Sequence, residues 1–113
     1  MPEPKEGASQ SQLLLVVDST LRLPGLGTLL RAPRYAAALR RFPLHSSLEV
    51  ELRLPAGPLT VPATVEELQR PADAPGTAAT ADYVLLLDAD SVGELPAGTE
   101  VWLPAVWAEI YGF

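Results

Sequence analysis

The stretch "LLLVVDSTLRLPGLGTLLRA", Leu13 to Ala32, sets two apolar segments around a Pro-Gly turn. Alternation at Val17, Ser19, Leu21 and Leu23 predicts a strand running into Pro24-Gly25, and Thr28, Leu29 and Leu30 resume a second strand beyond it. Pro24 presets φ at the first central position of the turn and Gly25 supplies the positive φ that the second requires. Gly27 permits a bulge or the close approach of another backbone. The apolar run Leu13 to Val17 stops at Asp18, far short of the ~18 residues that span a bilayer.

The same punctuation continues on either side. Residues 1–12 are polar and aperiodic, a flexible leader. "RYAAALRRF", Arg34 to Phe42, has helix propensity, with Tyr35, Leu39 and Phe42 at i, i+4 and i+7, so a short helix is expected between Arg34 and Arg41, ended by Pro43. "SLEVELRLP", Ser47 to Pro55, puts Leu48, Val50, Leu52 and Leu54 on one face and Glu49, Glu51 and Arg53 on the other, which is a half-buried strand. "PAGP" turns it into "LTVPATVEEL", Leu59 to Leu68, where Pro62 lacks a ladder donor and marks an edge or a bulge. After the low-complexity loop Arg70 to Ala81, "DYVLLLDAD" is apolar on both faces and "LPAGTEVWLP" carries the last strand. The expected fold is all-β: a small antiparallel β-barrel of five to seven strands over residues 13–104, which closes the edges that so small a sheet would expose, with one short helix and an aromatic tail at 105–113.

Composition narrows the classes. In 113 residues, 12 prolines and 8 glycines exclude long helices, while 48% apolar content argues against disorder. The start lacks a cationic region and cleavage site, so the expected location is cytoplasmic, and the absence of cysteine removes disulfides and thiolate metal sites. A net charge of −6 disfavours general nucleic-acid binding. The charge is uneven: Arg22, Arg31, Arg34, Arg40, Arg41 and Arg53 face only Glu49 and Glu51 in their segment, whereas Arg70 is the sole cation after Leu54. These arginines either form one basic patch on an acidic body or scatter and pair with acids.

Leu13 to Ala32 resembles the opening of the second domain of elongation factor Tu and related translational GTPases, in which an apolar strand passes through an acidic residue into a Pro-Gly-x-Gly-Thr turn and two aliphatics. "FPLHSSLEVEL", "TVPATVEEL" and "YVLLLDADSVGELPAGTEVWLP" (Tyr83 to Pro104) are similar to that family's following loop and strands, so the resemblance spans about Leu13 to Pro104. It implies a translation-factor-like barrel as a stand-alone module. In the family this domain supports a nucleotide domain and touches tRNA or ribosomal RNA, but no binding residue carries over to this chain. No G-x-x-x-x-G-K-[ST] loop is present, so the chain is not itself such a GTPase. Ala32 replaces a glycine frequent in the family, and "RAPRYAAALRRF" is longer than the usual connection there.

The expected function is therefore a non-catalytic binding or accessory module with a protein partner, no catalytic residue, no metal and no cofactor. Two surfaces are candidates: Arg34, Arg40 and Arg41 in the stretch expected to be helical, and the aromatics Trp107, Tyr111 and Phe113 of the tail, which either cover the barrel or meet a partner. An RNA-contacting protein using the Arg31 to Arg41 stretch is the alternative; a small-ligand carrier or enzyme finds no convergent polar set. Trp102, in a strand, is expected in the core. Asp88, Asp90 and Glu94 read as solvated turn acids without calcium-loop spacing, and His45, beside Ser46 and Ser47, as a loop residue rather than part of a triad.

Overall fold

The computed structural model describes residues 10–32, 37–70, 80–88 and 95–113. Seven strands form in chain order: β1 (Gln12–Val16), β2 (Ser19–Leu23), β3 (Gly27–Arg31), β4 (Ser47–Leu54), β5 (Gly57–Arg70), β6 (Thr80–Leu87) and β7 (Glu100–Leu103). A 3₁₀ helix, Ala37–Arg41, precedes β4, and a helix α1, Ala105–Ile110, follows β7. All pairings are antiparallel in one sheet ordered β1-β7-β4-β5-β6-β3-β2, curled as a half-barrel.

The two edge strands of this sheet are consecutive in the chain. At the corner between them the Val17 N–H donates to Thr99 O (2.8 Å) on the β7 side, while the Asp18 N–H donates to Arg31 O (2.9 Å) on the β3 side. One bent length of chain thus serves both ends of the sheet, and the bend obliges the sheet to curl. The interior is filled by alternate residues, Leu48, Val50 and Leu52 from β4, Val61, Ala63 and Val65 from β5, Leu85 and Leu87 from β6, and Val101 and Leu103 from β7. On β1 the register slips between Leu13 and Leu15, and this bulge lets the consecutive Leu14 and Leu15 both be buried, which regular alternation would forbid.

The turn between β2 and β3 forms as its residues dictate. The Leu26 N–H donates to Leu23 O (2.9 Å) across Pro24-Gly25, and Gly25 has φ +78°. A Cβ on Gly25 would meet open space, so Gly25→Ala is expected to cost only its backbone strain, somewhat over ~1 kcal/mol in a urea melt. Gly27, at φ +132°, is where another backbone comes close: a Cβ there would overlap the carbonyl oxygen of Leu87 on β6.

Several expectations are corrected. Pro62 sits in β5, an interior strand whose register against β4 is continuous, so it marks neither a sheet edge nor a bulge. Its carbonyl accepts from the Asp88 N–H (3.0 Å) just past the end of β6, so its donorless nitrogen falls where the β5–β6 ladder has already finished and no ladder bond is lost. The short helix expected between Arg34 and Arg41 is present over Ala37–Arg41 as a 3₁₀ helix, with Arg34 outside the described residues, whereas the tail, expected only as an aromatic cover or surface, forms the α-helix α1. α1 ends in a Schellman arrangement: Gly112, at φ +75°, donates to Glu109 O (3.2 Å) and Phe113 donates to Ala108 O (2.8 Å). Pro104 before it and Gly112 after it were the available sequence signals.

Trp102 is not in the core. Val101 and Leu103 are fully enclosed, and strand parity then turns Trp102 to the outer face, where it is half-buried. There its Nε1 donates to Glu100 Oε1 (2.9 Å) and the Arg53 guanidinium, itself held by Glu51, lies 4.6 Å over its ring.

Candidate functional site

The two surfaces suggested by the sequence meet at one place. Leu39 and Phe42, from the 3₁₀ helix and its exit, are buried in the core, which fixes where the neighbouring arginines emerge. Phe42 receives Tyr111 edge-on (centroids 4.7 Å apart) and Phe113 in a tilted contact (5.2 Å), while Trp107 stacks near Tyr111 at 6.4 Å. Arg41 closes the joint: its Nη2 donates to Gly112 O (3.0 Å), and its guanidinium lies 4.0 Å over the Phe113 ring. Arg40, exposed, stands 5.0 Å over the ring of Tyr83 at the start of the buried part of β6.

The tail is both a cover and a surface. Trp107, Tyr111 and Phe113 pack against the core and Ala108 is fully buried, while Val106 and Ile110, four residues apart on the other side of α1, are 60% and 64% exposed. Of the two roles open to the tail aromatics, Trp107, Tyr111 and Phe113 take that of the cover, and the 3.6-residue period of α1 turns Val106 and Ile110 away from the core. What results is an apolar pair on an anchored helix, ending beside Gly112, where Arg41 adds positive charge.

The other candidates are resolved differently. Arg31 lies on β3 opposite Ser19, half-buried, with its Nε enclosed and without a hydrogen bond, so its charge is not presented as Arg40 and Arg41 present theirs. His45, at φ +68°, donates its N–H to Val65 O (2.7 Å), and its Nδ1 is 2.8 Å from Glu66 Oε1. Thr64 Oγ1 donates to Glu66 Oε2 (2.8 Å), and the Ser46 hydroxyl is turned to Pro43 O (2.6 Å) rather than to His45. The His45-Glu66 pair therefore fastens the entry of β4 onto β5, an arrangement invisible in sequence because the partners are 21 residues apart. Asp88 is exposed; Asp90 and Glu94 lie outside the described residues. Among the described residues no group of three His, Asp or Glu side chains is placed to hold a metal, and no helix is long and apolar enough to cross a membrane.

At the opposite end of the sheet, an open cleft of about 360 Å³ lies between the β4–β5 turn and residues 96–99. Among the described residues Arg53 is its one charged lining residue, and it is already engaged by Glu51 and Trp102. Comparison with known protein families, with characterised proteins and with solved structures finds no match to this chain.

Proposed function

We propose that this chain is a non-catalytic β-barrel module that binds another protein through the joint surface of the 3₁₀ helix and α1, in a setting linked to translation factors. The observation that carries the reading is the exposure of Val106 and Ile110 on a helix whose other side is clamped by Phe42 and Arg41. Exposed aliphatics on a pre-ordered element bind with little ordering cost, and the neighbouring Arg40 and Arg41 favour a partner segment that carries carboxylates beside its apolar side chains. The link to translation factors rests on the resemblance of Leu13 to Pro104 to the elongation factor Tu barrel. The RNA alternative is weakened by the net charge of −6, since neutralising several phosphates needs a surplus of cations on the binding face.

The test is quantitative capture by the tagged chain from extract of its own host, comparing wild type with Val106→Lys/Ile110→Lys and with Arg40→Gln/Arg41→Gln. Both variants change exposed residues, so circular dichroism should report an intact fold; Arg41 gives up about 1 kcal/mol from its lost contacts. The same protein band should weaken roughly fivefold or more per engaged contact. Unchanged capture by both variants removes this surface, and binding that is destroyed by nuclease and falls steeply with salt transfers the reading to RNA.

A further inference from the structure

We draw no further inference here: the strongest candidate, the outward-facing cluster of Trp102, Arg53, Glu51 and Glu100 beside the open cleft between the β4–β5 turn and residues 96–99, has its guanidinium already engaged by Glu51 and the indole, and nothing among the described residues shows what covers it.

Discussion

Gly27→Ala is expected to lower the stability of this protein by about 3 kcal/mol or more, seen as a large fall in the urea midpoint, and to do so far more than Gly25→Ala two residues away. Both glycines have positive φ, so both substitutions carry backbone strain. The difference is what the new methyl meets. At Gly25 there is open space, whereas at Gly27 a Cβ overlaps the carbonyl oxygen of Leu87, and backbone cannot rotate away as a side chain can. Nor can β6 retreat as a unit, since Thr28 is registered with Leu87 while Ala63 holds Leu87 from the other side. Relief requires parting β3 from β6, which would open the sheet at the end that carries the β2–β3 turn. Equal, small effects at the two glycines would show that β3 and β6 do not approach in this way.

Phe42→Ala is expected to cost about 3–5 kcal/mol, the usual range for deleting a buried phenyl group. The ring is 2% exposed and is the common contact of Tyr111 and Phe113, so its loss leaves a cavity under the tail as well as removing buried area. A domain of this size has about 5–15 kcal/mol in total, so the variant should remain partly folded and measurable. Its signature is local as well as global. In a Trp102→Phe background, where Trp107 is the remaining indole, emission should move to the red in Phe42→Ala before global unfolding, because α1 loses its seat. Loss of stability with an unmoved Trp107 signal would mean that α1 is held by contacts other than Phe42, and the clamped-helix basis for partner binding would fail with it.

Local conformation was legible in the amino-acid sequence wherever one or two residues dictate it. Pro24 and Gly25 specify their turn through fixed and positive φ, and the period-2 pattern of β4 specifies its buried face, whatever else the chain does. The all-β, barrel-like class follows from many such short signals in series. Which side of a strand or helix becomes interior, and which distant groups meet, was decided only by tertiary structure. Trp102 reads as core by size, but β7 has room inside for Val101 and Leu103, and parity leaves the indole outside under Arg53. Pro62 reads as an edge residue, but β6 happens to end where its missing N–H would have been needed. Arg41 and Gly112 stand 71 residues apart, and nothing in either segment announces the other. Propensity and periodicity act over a few bonds, whereas the joining of the 3₁₀ helix to the aromatic tail depends on the curl of the sheet, which lets that helix meet both β1 and β6 although they are far apart in the strand order. The candidate docking surface exists only because the sheet curls in this way.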